Sequence, residues 1–167
     1  MSQFKLEDAD VLIDLENQTL ALPKYNKFYV ISTGKNGIGE QENTGKTPRG
    51  WHRVAQKFGA ESPKNTVFIA RKPTGEVYNT ELATQYPERD WILSRILWLD
   101  GLENGFNKGE GCDTMQRYIY IHGTPDTQPM GVPMSHGCVR MRNEEIIELF
   151  DLVPEDALVY LSEQSLA

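Results

Sequence analysis

The sequence predicts a mainly β domain with one or two short helices. Three observations carry this reading. Short runs rich in Val, Ile, Tyr and Phe recur along the 167 residues and stop at Gly, Pro or Asn. Only Asn143–Phe150 has clear helical spacing. Hydrophobic residues at 39% and charged residues at 25% describe a chain able to bury a core. The length suits one domain, residues 1–167, without internal repeat or linker.

The elements follow in order. Val11-Leu12-Ile13-Asp14 and Thr19-Leu20-Ala21-Leu22 flank a turn-like Glu16-Asn17-Gln18, so they read as a hairpin that Pro23 stops. Phe28–Ser32 is a stronger strand. A glycine-rich loop from Lys35 to Gly50 follows, long enough to suggest a functional loop or an insertion. Trp51–Val54 and Val67–Ala70 are short strands, and Pro73-Thr74-Gly75 signals a turn. Trp91–Leu99 favours a strand over a buried helix turn. Residues 101–111 read as a mobile surface loop. Arg117–Ile121 is a strand that delivers His122 at its end. Asn143 suits a helix N-cap, with Glu144 and Glu145 at the positive end of the dipole. Ala157–Leu161 is the last strand. The segment from Ala55 to Tyr86 otherwise matches no element by pattern.

Charge and cysteine content exclude several classes. Seventeen Lys and Arg against 24 Asp and Glu give a net charge of −7. That balance argues against affinity for nucleic acid or an anionic membrane, both of which need clustered positive charge. Two cysteines, Cys112 and Cys138, do not make a disulfide scaffold. Met1–Asp10 has no basic start and no apolar run, unlike a signal peptide. No segment reaches the roughly 18 apolar residues of a membrane-spanning helix. A cytoplasmic location is the expectation, and a periplasmic one the alternative if a leader has been removed.

Gly39 to Gly45-Lys46-Thr47 imitates a phosphate-binding loop. Its glycines are one residue too far apart, and Pro48 stands where a helix should begin. The densest signal lies later. His122-Gly123-Thr124 precedes a loop bearing Pro125, Pro129, Gly131 and Pro133. Ser135-His136-Gly137-Cys138-Val139-Arg140 then leads toward the helix. A thiol becomes a nucleophile where an imidazole or an electropositive backbone favours its thiolate. Gly137 permits close approach of backbone and substrate, and the amides around Cys138 can face a developing oxyanion. Taken singly, a cysteine is more often an inert small hydrophobe, and a histidine an ordinary hydrogen-bonding residue. Clustering weighs against that. Zinc held by His122, His136, Cys138 and Cys112 is the chemical alternative, but no paired-ligand spacing supports it.

This segment resembles the signature of the L,D-transpeptidase catalytic domain, YkuD type: a His-Gly pair, a loop, then Ser-His-Gly-Cys followed by Asn or Arg two residues on. Ser32-Thr33-Gly34 and Gly45-Lys46-Thr47-Pro48-Arg49-Gly50 resemble that family's Thr-Gly and Thr-Pro-x-Gly elements. The resemblance covers roughly residues 9–161 and implies an L,D-transpeptidase-like β-sandwich. It implies Cys138 as nucleophile and His122 as its base, oriented through a carbonyl such as that of Gly123. The amides of His136, Gly137 and Cys138 would form the oxyanion hole. Ser135 and Arg140 would serve the substrate, Arg140 bracing the loop or meeting a carboxylate. His136 is the rival base. Tyr118, Tyr120 and Trp98 line the cleft or pack the core.

The resemblance also implies a substrate class, peptidoglycan-derived peptides or muropeptides, and no cofactor or metal. Attack on the L-centre carbonyl of a diamino acid would release D-alanine. Water as acceptor gives an L,D-carboxypeptidase; an amine from another stem gives a cross-link. With a cytoplasmic location, the expectation is a carboxypeptidase of murein recycling. An exported L,D-transpeptidase is the alternative, and a non-catalytic or zinc-bound binding module stands third.

Overall fold

A computed structural model describes residues 3–167; Met1 and Ser2, the start of the acidic leading segment, lie outside the described residues. Ten strands and two helices follow in order: β1 (Val11–Asp14), β2 (Thr19–Leu22), β3 (Lys27–Val30), β4 (Gly50–Phe58), β5 (Thr66–Ile69), β6 (Lys72–Val77), α1 (Thr80–Gln85), β7 (Leu93–Gly101), β8 (Tyr120–Thr124), β9 (Val139–Arg142), α2 (Asn143–Leu152) and β10 (Leu158–Ser162). The fold is mainly β, as the residue pattern predicts.

The strands form one continuous hydrogen-bonded path, β3-β2-β1-β10-β4-β7, from which β8 and then β9 extend. β1 lies parallel to β10, and β8 parallel to β9; the other neighbours are antiparallel. Just past β3, Ser32 donates its amide to Arg140 O at 3.0 Å and accepts from Arg140 N at 2.8 Å. This bridge ties the β3 end of the sheet to β9, so the sheet curls shut in a barrel-like manner and few edges stay unpaired. The hairpin of β5 and β6 hangs from β7 through the single pairing of Val67 with Leu93.

The core fills the inside of this curled sheet. Val11, Ile13, Leu20, Ile31, Leu97, Leu99, Ile121, Val139, Met141, Val159 and Leu161 are buried within it. Alternation along each strand supplies these residues. α2 closes one side by turning Ile146, Leu149 and Phe150 inward, at the spacing of one helical face.

Several local expectations need correction. Pro73-Thr74-Gly75 lies inside β6 rather than in a turn. β6 is the terminal strand of its path, where a residue lacking N–H is tolerated. The actual turn is Ala70-Arg71, with φ of 50° and 65°. His122 sits mid-strand in β8, because Tyr118, at φ 57°, delays the strand to Tyr120. Asn143 is the first residue of α2 and not its cap. Its side chain donates to Thr124 O and Asp126, and accepts from Ser94 Oγ at 2.6 Å. Residues 101–111 are pinned: Asn107 is fully buried and donates to Arg49 O and Trp51 O. The helix α1 has no signal beyond Asn79, whose side chain accepts from Leu82 N.

Candidate active site

The parallel pairing of β8 with β9 sets the site. It matches Ile121 with Val139 and His122 with Arg140, which brings Cys138 beside Tyr120. The Tyr120 amide donates to Cys138 Sγ at 3.3 Å, and the thiol donates to Tyr118 O at 3.4 Å. His122 follows Tyr120 by two residues, on the same face of the strand.

His122 is 1% exposed, and its Nδ1 lies 2.6 Å from the carbonyl oxygen of Gly123. That contact places the proton on Nδ1 and leaves Nε2 as the lone-pair nitrogen. Burial pulls the His122 pKa below its usual value; the Gly123 carbonyl and Asp90 oppose this in part. Burial likewise pushes the Cys138 thiol up to about 12, against the Tyr120 hydrogen bond. The resting pair is therefore a neutral thiol and a neutral imidazole.

Gly123 is required by space. A Cβ there would stand 2.5 Å from Leu93 O and 2.6 Å from Asn143 Oδ1. A bulge in β7 creates this closeness: the register shifts between Leu93 and Ile96, and Ser94 adopts φ 72°. Gly137 has φ 121°, a region side chains avoid, and lies against Lys46 O.

The loop carrying Cys138 is held from both sides. Ser135 Oγ donates to Cys138 O at 2.6 Å and accepts from Gly137 N at 3.1 Å. The Gly137 amide is thus occupied at rest, and facing an oxyanion requires its release from Ser135. Thr47 Oγ donates to Gly137 O at 2.8 Å and accepts from Gly34 N at 2.8 Å. The Thr-Gly and Thr-Pro-x-Gly elements are therefore parts of one brace behind Cys138. Arg117 extends it by donating to Lys46 O at 2.5 Å and Glu40 O at 3.2 Å.

Asp90, which no sequence signal marks, joins three of the predicted site residues. Its Oδ1 accepts from Arg140 Nη2 at 2.9 Å, and its Oδ2 lies 3.4 Å from His136 Nδ1. Burial alone would raise its pKa, but His122, Arg140 and His136 together hold it below the carboxylate range. Arg140 is 8% exposed and also donates to Met134 O, so it ties Asp90 to the loop. The His136 side chain is exposed and turned to Asp90.

The opposite wall is aromatic. Trp98 stacks on Tyr118 at 6.0 Å between centroids and meets Tyr120 edge-on at the same distance. Cys138 packs partly into the cluster of Phe68, Ile96, Tyr120 and Trp98. Arg71 lies over the Trp98 ring at 4.4 Å and donates to Tyr120 Oη at 2.9 Å.

The remaining candidates stand apart. Cys112 is buried, its thiol directed to the carbonyls of Lys108 and Gly109. His52 is fully buried between Gly50 O and Thr114 Oγ. The four zinc-ligand candidates are not brought together, and no group of three His, Cys, Asp or Glu poised for a metal occurs among the described residues.

The chain belongs to the YkuD family: the model of the L,D-transpeptidase catalytic domain matches residues 8–161. A probable L,D-transpeptidase, ErfK/SrfK, from Salmonella typhimurium is 33% identical over 99 residues, covering 58% of this chain and 31% of that protein. Another, YbiS of Escherichia coli K12, is 53% identical over 38 residues, covering 23% and 12%. The matched segments thus span less than a third of these curated relatives. Among solved structures, L,D-transpeptidase 3 of Mycobacterium tuberculosis in complex with a faropenem-derived adduct is similar at TM-score 0.54 and 14% identity, covering 92% of this chain and 59% of that one. At that identity the likeness concerns the fold.

Proposed function

We propose that this domain is a cysteine acyl-transfer enzyme for peptidoglycan stem peptides, with Cys138 as nucleophile. The observation that supports it most is the placement of Cys138 Sγ at the Tyr120 amide, with His122 two residues along the same face and its Nε2 unprotonated. His122 Nε2 takes the thiol proton as sulfur attacks the L-centre carbonyl of the diamino acid. The negative charge that develops on the carbonyl oxygen meets the amides of His136 and Cys138, joined by that of Gly137 once it is released from Ser135. Collapse breaks the C–N bond, and His122 returns the proton to the departing amine of D-alanine.

Because the resting thiol is neutral, proton removal accompanies attack and does not precede it. Thiol rotation away from Tyr118 O toward His122 starts the step. Arg140, paired with Asp90, braces the loop, and Ser135 holds it from within.

The thioester then meets an acceptor. We propose water, giving an L,D-carboxypeptidase that trims tetrapeptides to tripeptides in the cytoplasm, as expected from the sequence. Abundant water outcompetes a dilute soluble amine. The second reading, cross-linking outside the membrane, is favoured by the names of the relatives, which are transpeptidases. Purified protein incubated with a murein tetrapeptide separates the two. D-Alanine with tripeptide supports hydrolysis; cross-linked dimers without free tripeptide support transfer and sink the carboxypeptidase reading.

A further inference from the structure

The turn between β5 and β6 is chemically odd. A two-residue hairpin turn with φ positive at both positions is built at least cost from Asn-Gly. Here Ala70 and Arg71, at φ 50° and 65°, occupy it, and neither is suited to that region. Strain of this kind persists where a side chain is kept for what it does. The Arg71 guanidinium does not dissolve into solvent. It lies over Trp98 at 4.4 Å and 5.3 Å from the Tyr118 ring centroid, and it donates to Tyr120 Oη. Unlike Arg140, Arg49 and Arg53, which each have an acidic partner, Arg71 has no carboxylate pairing with it among the described residues. Its contacts are neutral or aromatic, so its charge is left to be met from outside.

Its place relative to the nucleophile is fixed by one residue. Tyr120 offers its amide to Cys138 Sγ at 3.3 Å and its hydroxyl to Arg71 at 2.9 Å, so sulfur and guanidinium are linked through one tyrosine with a hydrogen bond at each end. Tyr118 repeats the link, its carbonyl on the thiol and its ring under Arg71. We propose that Arg71 is a specificity-determining residue that receives a carboxylate at the far end of the side chain of the residue under attack. A tyrosine length suits a long side chain ending in a second carboxylate. It does not suit the carboxylate of the departing residue, which sits next to the scissile bond. Trp98 and Tyr118 lie side by side against the guanidinium, 4.4 Å and 5.3 Å from it, and leave its remaining N–H groups for hydrogen bonds to that carboxylate. The acyl donor is thus a peptide whose diamino acid is also a dicarboxylate, and a plain lysine in its place binds worse. This inference rests on the acyl-transfer reading given above.

The test compares kcat/KM for tetrapeptides carrying 2,6-diaminopimelate, its side-chain amide or lysine at the attacked residue, and for a fourth peptide with a carboxamide on the terminal D-alanine. The wild type is expected to prefer the free dicarboxylate by about ten- to a hundredfold over the amide and lysine peptides, the range for a charge-assisted pair. Arg71→Gln is expected to bring that ratio within about threefold of unity, and Arg71→Lys to restore part of it. Thermal unfolding and the rate of Cys138 alkylation by iodoacetamide report whether the variants keep the fold and the nucleophile. An unchanged ratio in Arg71→Gln, or an equal loss on all peptides, overturns the proposal. So does loss of discrimination only against the terminal carboxamide, which would assign Arg71 to the departing residue. If the wild type processes none of the peptides while iodoacetamide still labels Cys138, the acyl-transfer reading itself falls, and this inference with it.

Discussion

At the residue scale the site is a pair of neutral groups made unlike their solution forms by burial. The Cys138 thiol is pushed up to about 12, while the buried His122 imidazole is held below its usual value. A thiolate–imidazolium pair would reverse both shifts. Two outcomes follow. Alkylation of Cys138 by iodoacetamide should climb through pH 9 with no inflection near neutrality; an inflection near pH 6 would contradict a neutral resting pair. Peptide turnover by the proposed route needs unprotonated His122, so its rate should hold from neutral pH into the acid range and fall only below the usual imidazole pKa of about 6.5, because burial lowers that of His122. The proposed nucleophile and base could be named from sequence because their chemistry is carried by a short local pattern, His122-Gly123 and Ser135-His136-Gly137-Cys138. Asp90 and Arg71 could not, because nothing adjacent marks them. Each reaches the site through pairing between segments far apart in the chain.

At the element scale the loop of Cys138 is supported by parts that look unrelated in sequence. Thr47 Oγ alone serves both Gly34 N and Gly137 O. Thr47→Val keeps the shape and removes both bonds, leaving a buried amide and carbonyl without that partner. A loss of about 2–3 kcal/mol in urea unfolding is expected, together with a lower turnover rate, since Gly137 adjoins Cys138, the proposed nucleophile. Gly123→Ala places a Cβ 2.5 Å from Leu93 O, a backbone atom that cannot swing away. It should cost about 3 kcal/mol and slow turnover by shifting the carbonyl that orients His122. A stability equal to wild type would contradict the bulge geometry. The hairpin of β1 and β2, the strand at Phe28 and the helix from Asn143 were readable from alternation and spacing. β6 was not, because Pro73 and Gly75 read as punctuation and only its terminal position makes them tolerable. Asn143 carried a capping signal, but tertiary contacts with Ser94 and Thr124 took its side chain instead.

At the scale of the whole molecule, the sheet closes through Ser32 and Arg140, and buried histidines link stability to acidity. His52 is fully buried, and burial lowers its pKa to about 4. Between roughly pH 6.5 and 4 the unfolded chain binds a proton at this site that the folded protein refuses. Stability must therefore fall as pH falls through that window, by as much as ~3 kcal/mol, and this contribution levels off below pH 4. His122, also lowered by burial, adds with the same sign. His52→Gln should start less stable yet lose less between pH 7 and 4.5 in thermal melts. Equal slopes in the two proteins would contradict a neutral buried His52. The mainly β class was legible from composition and recurring short runs. The closure was not, since Ser32 and Arg140 are both polar residues with no pattern that pairs them.

The central claim is that Cys138 is the acylated nucleophile, and intact mass with peptide mapping after exposure to a carbapenem tests it most directly. The account predicts one adduct, on the peptide bearing Cys138, retained in Cys112→Ala and absent in Cys138→Ala, which also loses turnover of the tetrapeptide. An adduct carried by Cys112, or tetrapeptide turnover surviving in Cys138→Ala, would contradict it.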